Sequence, residues 1–547
     1  MESDVEPWDR FRDWLHSICV VTFDLELGQA LEVIYPGDAL LTNVEKMNIC
    51  YLAFPDSNSG TLRDSNFHFR IRRSLNDFRE NQKQLMETLP TSSPIDPHYL
   101  YGFVHFRQQK DATIRRGYFQ KSIVLMTPLP FFSLFYAVTA RIAQHFFESG
   151  EAAIEAACHH MDSWLRPQAG ITMDLPLLGA LIKCRLPSAV DPPYDFRFDG
   201  LVELSENDRT ELFKPDFVGP IMSQIHHLQL LWELAVLGEP ILIIAPSPTM
   251  ASLLVQSIVS LVSPLKLVND FRPYFTIHDS EFREYSAKGR SPPRVILGVT
   301  NPFFVKALDH WPHILKIDTE TTTSEKKTRK NYTGRTLDTL PGFYTQYKPH
   351  LTTDKSLMKK LLKPDLSPEV QNSVLRRHFL ELTQSFMIPL ERYLSSLMPL
   401  KKEMSPFKSI PTAKPFAVDD FLATMDSGGP SLTCGVKGDW AGLYKKFVKT
   451  ANFGAWLTTR SKDVTMQLKA HYVDTLCSAD LGTQLLSAKH HVEIVDLVLR
   501  IRERVVEQRP GDIKQKLVRQ IIHILANVDE ELKQLLMSNC SLREVIS

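Results

Sequence analysis

Residues 240–245 read Pro-Ile-Leu-Ile-Ile-Ala, residues 294–299 read Arg-Val-Ile-Leu-Gly-Val, and residues 314–318 read Ile-Leu-Lys-Ile-Asp. None of the three alternates apolar with polar residues. Short uninterrupted apolar runs are how strands buried on both faces read. After the first run come Pro246-Ser-Pro-Thr249 and a helical pattern over residues 250–262. Strands separated by helical segments imply parallel pairing. The middle of the chain is therefore expected to be an α/β sheet with helices on both faces, with its loops the first place to look for function.

Working outward towards the N-terminus, residues 215–236 read as a helix leading into that sheet. The stretch after Pro187 reads as a linker, with Pro192-Pro193 and the acids Asp191, Asp195, Asp199 and Glu206. Before it, residues 14–36 read as a β-hairpin around Leu25-Glu-Leu27, and residues 43–52 as a short helix with Val44, Met47 and Leu52 as its apolar positions. Residues 67–74 are strand-like and basic (Arg70, Arg72, Arg73), while the polar residues 74–88 read as a loop. Two more strands (99–106 and 118–126), two helices (130–147 and 151–164) and an apolar strand (175–186) complete a small α+β domain.

Towards the C-terminus, residues 320–350 are polar and read as a surface insertion. Its run Glu325-Lys-Lys-Thr-Arg-Lys330 reads as solvated, with lipid or nucleic-acid contact as the alternative. Beyond residue 351 the pattern is helical, with loops at 401–414 and 426–438. The clearest helices are 492–508 and 513–537. The second places Ile513, Leu517, Ile521, Ile524, Val528, Leu532 and Leu535 three or four apart, behind Asp512 as an expected N-cap.

At 547 residues the chain has length for about three or four domains of roughly 150 residues each. Acidic and basic residues balance at 63 each, so no global field points to nucleic acid or an anionic membrane. Seven cysteines stand singly at positions 19, 50, 158, 184, 434, 477 and 540. An odd count without close pairs argues against a disulfide framework or a zinc site and fits a reducing compartment. The polar, acidic first ten residues predict no signal peptide. Residues 240–265 carry no charge, but four prolines interrupt them, so they read as strand, turn and helix rather than as a transmembrane span.

Catalytic patterns are missing. Residues 428–438 are glycine-rich but place Lys437 out of register for a phosphate loop, and no strand precedes them. Pro246-Ser-Pro-Thr249 sits where a phosphate loop would but lacks glycine; Ser247 or Thr249 reads as an N-cap. The pairs His159-His160, His226-His227 and His490-His491 are adjacent, and adjacent residues diverge on a helix, so no pair makes a metal site alone. The Gly-x-Ser-x-Gly and His-Glu-x-x-His patterns are absent. No cofactor, metal or bond-making chemistry is expected.

In order and spacing these segments resemble a DENN-domain protein, from the family of guanine-nucleotide exchange factors for Rab GTPases. The similarity is to the sixth DENN-domain-containing subgroup, related to the fungal late-secretory Avl proteins. It rests on Ile241-Leu-Ile-Ile244 with the 250–262 helix, the link Ser263-Pro-Leu-Lys266, Val295-Ile-Leu-Gly-Val299, and Ile314-Leu-Lys-Ile-Asp318. It extends to Gly28-Gln-Ala-Leu-Glu-Val-Ile-Tyr-Pro36 in the N-terminal hairpin and to the helical C-terminal third. The link after the central helix, Leu265-Lys-Leu-Val-Asn269, lacks the aromatic residues of many members, and Thr300-Asn-Pro-Phe-Phe304 replaces a small, Ser-rich turn.

The resemblance implies a fold of α/β plus all-α class in three parts. These are a longin-like module over 14–187, a linker over 188–213, a central α/β module over 214–350, and a helical module over 351–540. It implies a chain that binds GDP-loaded and nucleotide-free Rab in the groove between the first two modules. The Rab is expected to be one of endosomal recycling. The chain is then cytoplasmic and peripherally recruited to endosomal membranes, recycling endosomes among them, without nucleic acid or a transmembrane segment. The partner surface is expected at loops after strands, with Phe271, Tyr274, Asn301, Phe303 and Phe304 from the central module and Arg70, Arg72 and Tyr118 from the first. Against that, residues such as Phe303 and Phe304 are more often core, and arginines such as these more often a solvated strand face. Two other readings keep the fold: an effector of GTP-loaded Rab, and a GTPase-activating protein using Arg115 or Arg116.

Overall fold

The computed structural model describes residues 7–546, apart from 25, 27, 57–63, 75–77, 91, 92, 94, 113–116, 192–201, 205–215, 217, 318–340, 364, 426–429, 431–435, 483–485, 487, 509 and 510. The described chain is mixed α/β. It divides into two compact units, one of residues 1–387 with 426–454 and one of 388–425 with 455–547.

In the first unit, strands β1 (Ser17–Asp24), β2 (Gly28–Tyr35), β3 (Ser65–Arg72), β4 (Tyr99–Lys110) and β5 (Tyr118–Thr127) form one antiparallel sheet in the order β2-β1-β5-β4-β3. Side chains alternate across a strand, so each strand feeds two layers. Cys19, Val21, Phe67, Phe69, Val104 and Val124 pack with Ile49 and Leu52 of the Asn43–Leu52 helix. Phe103 of β4 turns the other way, onto Phe132, Phe135 and Tyr136 of the Phe132–Ser149 helix. A hairpin, β6 (Thr172–Leu177) and β7 (Ala180–Arg185), follows, and β8 (Val202–Leu204) pairs with β7.

The central runs form the second sheet of this unit. Strands β9 (Ile241–Ile244), β10 (Asp270–Arg272), β11 (Val295–Val299), β12 (His313–Lys316) and β13 (Gly342–Thr345) lie in the order β10-β11-β9-β12-β13. The first four are parallel, and β13 closes the edge antiparallel. The expected pairing of the two longest apolar runs is observed, Ile296 opposite Ile241 and Val299 opposite Ile244. Ser247 caps the Pro248–Leu261 helix, its Oγ accepting from Met250 N at 3.2 Å with Pro248 in the first turn.

In the second unit, Ile494, Leu497, Val498, Ile501 and Val505 of the His491–Glu507 helix interlock with Leu517, Ile521 and Ile524 of the Asp512–Asn527 helix. Among the described residues no helix is long and apolar enough to cross a membrane.

Several expectations are corrected. The polar stretch read as a loop contains the Glu80–Thr88 helix, held by Gln82 Nε2 donating to Arg12 O at 3.0 Å. The single strand over 175–186 is the β6–β7 hairpin, turned at Leu178-Gly179, both with positive φ. The helix over 215–236 is broken into Val218–Met222, a 3-10 turn and Leu228–Leu237. The 513–537 pattern is two helices, because Val528 is extended and Asp529 caps Glu530–Met537, accepting from Leu532 N at 2.8 Å. Ile513 and Leu535 are exposed, and Asp512 is the first helical residue, paired with Lys516 at 2.7 Å, rather than the N-cap. On the Asn43–Leu52 helix, Val44 and Met47 face solvent and Ile49 and Cys50 face the core. Three residues of the expected linker form β8, and β13 lies in the expected insertion. Asp318, the basic run at 325–330 and most of 428–438 lie outside the described residues.

Candidate functional site: the seam between the two sheets

The two sheets share one element. The Pro248–Leu261 helix packs on β9, β10 and β11 of the central sheet and also against β3 of the N-terminal sheet. Every residue from Ala251 to Leu261 is buried, which no ordinary surface helix shows. Its serines remain compatible with that burial by donating to their own helix: Ser257 to Leu253 O at 2.7 Å and Ser260 to Gln256 O at 2.8 Å. On the central-sheet side the approach is close at Gly298. A Cβ there would collide with the Pro273 carbonyl, and Phe275 N donates to Gly298 O at 2.8 Å.

Beside this helix, edge strand β3 meets β10 through charge. Arg70 Nη1 donates to Asp270 Oδ1 at 2.8 Å, and its guanidinium lies 3.5 Å from the Tyr99 ring centre and 4.1 Å from that of Phe271. Arg272 Nε reaches the other oxygen of Asp270 at 3.0 Å, its Nη1 donates to Arg70 O at 3.1 Å, and its Nη2 pairs with Glu281. Arg72 Nε completes the series on Glu281 Oε1 at 2.8 Å. Asp270 and Glu281 thus each hold one arginine from each sheet. Arg272 is only 2% exposed. Burial alone would lower its pKa, but Asp270, Tyr285 and Glu281 more than offset this and raise it, so the guanidinium stays charged.

Next along the seam, Tyr274 plugs the core of the N-terminal sheet, edge-on to Phe67. Its hydroxyl donates to Phe54 O at 3.0 Å and accepts from Asp56 N at 2.7 Å. Asn301 Nδ2 donates to Asp56 Oδ2 at 3.3 Å, and Tyr51 stacks on His278 with ring centres 4.5 Å apart. Burial raises the Asp56 carboxyl pKa, against the pull of the Asn301 amide and nearby His278. Tyr51 continues the helix face of exposed Val44 and Met47, so an apolar stripe runs from solvent to the seam.

Five of the eight sequence-derived candidates, Arg70, Arg72, Phe271, Tyr274 and Asn301, meet here. Arg70, Phe271 and Tyr274 are buried in the seam, and Phe304 lies in the central core against Phe275 and Phe282. None of these four presents a surface to a partner. Arg72 keeps 63% of its side chain exposed and Phe303 is 52% exposed, while Asn301 is half-buried. Tyr118 is elsewhere. It pairs with Lys110 at the far end of the β4–β5 hairpin, nine residues from the Tyr101 position that touches Phe271. That is about 30 Å along the strand. Arg115 and Arg116 lie outside the described residues. Sequence reasoning missed Asp56, Asp270, Arg272, His278 and Glu281. The alternation Asp270-Phe-Arg272 was the one available signal of a charged edge strand.

Known proteins supply the remaining constraint. A model of the DENND6 C-terminal domain matches residues 481–539. Protein DENND6B of Homo sapiens is 45% identical over 529 residues, covering 93% of this chain and 89% of that protein. Protein DENND6A of Mus musculus is 46% identical over 518 residues, covering 91% and 85%. Protein DENND6 homolog of Dictyostelium discoideum is 32% identical over 573 residues, covering 90% and 77%. The chain belongs to the DENND6 family of DENN-domain proteins.

Proposed function

We propose that this chain is a guanine-nucleotide exchange factor that promotes GDP release from a Rab-family GTPase of endosomal recycling, acting on endosomal membranes to which it is peripherally recruited. The layout we assign is tripartite: a longin-like module over 14–187, a linker over 188–213, a central module over 214–350 and a helical module over 351–540. Family membership supports the partner class. The observation that carries the reading is the mouth of the seam. There, exposed Val44 and Met47 of the Asn43–Leu52 helix with Arg72 of β3 on one side, and half-buried Asn301 with exposed Phe303 after β11 on the other, flank the Asp56–Asn301 and Tyr51–His278 contacts. A GTPase seated there touches both modules at once.

No covalent step is needed. Exchange requires only that the chain bind nucleotide-free GTPase more tightly than the nucleotide-bound form. Each ~1.4 kcal/mol of that difference weakens nucleotide about tenfold. Phe303, Arg72, Asn301 and the Val44–Met47 stripe are the contact residues we assign; Tyr118 is a separate candidate at the hairpin tip.

The test is release of fluorescent GDP across a panel of Rab GTPases with purified chain. Acceleration for an endosomal recycling Rab, lost in Phe303→Ala and Met47→Asp, is expected. No acceleration for any member, together with tighter capture of GTP-loaded than nucleotide-free Rab, replaces exchange factor with effector.

A further inference from the structure

The seam contains more charge than holding two sheets together requires. The shared helix and Tyr274 already join them through burial. The ion series adds directional contacts at the two sheet edges. Arg70 and Arg72 stand two residues apart on β3, so both project from one face at a spacing near 7 Å. They land on two different acids, Asp270 and Glu281, each also held by Arg272. Two attachment points with forked, planar donors set an angle where one sets only a distance. Burying such a network adds little net stability, because desolvation consumes most of the attraction; what it supplies is a single arrangement.

We propose that Arg70 and Arg72 are positioning residues for exchange: by bridging to Asp270 and Glu281 they fix the angle between the two sheets, so that both halves of the partner surface meet the GTPase without a reorientation cost. This rests on the exchange-factor reading above and gives Arg72 a role within the chain as well as at its surface. Preorganised half-sites act as one surface, whereas loosely hinged halves must be aligned at every encounter.

The experiment uses the full chain with three variants: Arg72→Gln, Arg72→Lys, and Arg70→Gln with Arg72→Gln. Arg72→Gln is the variant that spares the fold, since the side chain is largely exposed and Glu281 keeps Arg272. Each is followed by thermal unfolding, by GDP-release kinetics resolved into kcat and KM, and by the distance distribution between spin labels placed through unnatural amino acids at Gln109 and Lys266, both exposed. The expected result is cooperative unfolding in Arg72→Gln, a broadened distribution, and kcat/KM lowered about tenfold. Arg72→Lys restores charge without the fork and is expected to recover only part of both losses. An unchanged distribution in both Gln variants overturns the proposal, and unchanged distribution with raised KM leaves Arg72 a direct contact alone. A broadened distribution with unaltered kcat/KM also overturns it. If the unaltered chain releases GDP from no GTPase, the exchange reading falls by itself. The angle-fixing role is then decided by the label distances alone: broadening upholds it and no broadening ends it.

Discussion

Single side chains show where the first unit is least forgiving. His68 of β3 is fully buried, its Nδ1 within 2.7 Å of the Tyr136 hydroxyl and its ring stacked on Phe103. Burial pushes its pKa down to about 3. An unfolded histidine takes a proton near pH 6.5, whereas this one resists it. Its neutral form is therefore compatible with full stability above about pH 6.5, and stability falls as pH drops from there towards 3. At pH 5 the loss from this residue is about 2 kcal/mol. Thermal midpoints at pH 7 and pH 5 check it: His68→Gln, although less stable overall, should show a smaller drop between the two. Gly298 is the second such position. Gly298→Ala drives a methyl into the Pro273 carbonyl and should cost about 1–3 kcal/mol, read as a lower denaturant midpoint with unchanged m-value.

Elements were legible in proportion to how far their own residues decide them. β9, β11 and β12 were readable because burial on both faces leaves unbroken apolar runs. β10 was not, since Asp270-Phe-Arg272 is three residues long and Asp270 is paired by Arg70 of β3, 200 residues earlier in the chain. The Glu80–Thr88 helix hid in a polar stretch for a similar reason: only Gln82 and Leu85 are buried. The same limit governs the site. Arg70 and Arg72 stood out as basic strand residues, but whether they face solvent, a partner or another sheet is settled only by what β3 packs against. One element end is joined to distant chain by a single side chain. Asn452 Nδ2 donates to Ala235 O and Val236 O at the end of the Leu228–Leu237 helix, at 3.1 and 2.9 Å, and its Oδ1 accepts from Val268 N at 2.9 Å. Asn452→Ala leaves Val236 O and Val268 N without this partner, while Ala235 O keeps Gly238 N at 3.0 Å, and should destabilise by about 1–3 kcal/mol in chemical denaturation. Less than about 0.5 kcal/mol would mean that water replaces both.

The whole molecule is set by how the chain is divided. The first unit needs residues 426–454, which arrive after a segment, 388–425, belonging to the second. Residues 440–447 and their flank bring Tyr444, Phe447 and Asn452. Tyr444 stacks on Phe386 with ring centres 4.5 Å apart and donates to its carbonyl at 2.6 Å. A chain ended at residue 454 should therefore unfold cooperatively, as followed by near-ultraviolet circular dichroism, and one ended at residue 425 should not. Similar melting of the two would show that the later segment is dispensable. Biosynthesis feels the same interleaving. As the ribosome delivers the chain, the first unit waits for residue 454 before it closes, and 38 residues of the second emerge in the meantime with their own partners still unmade. A pause in translation just before residue 426 would lengthen that interval.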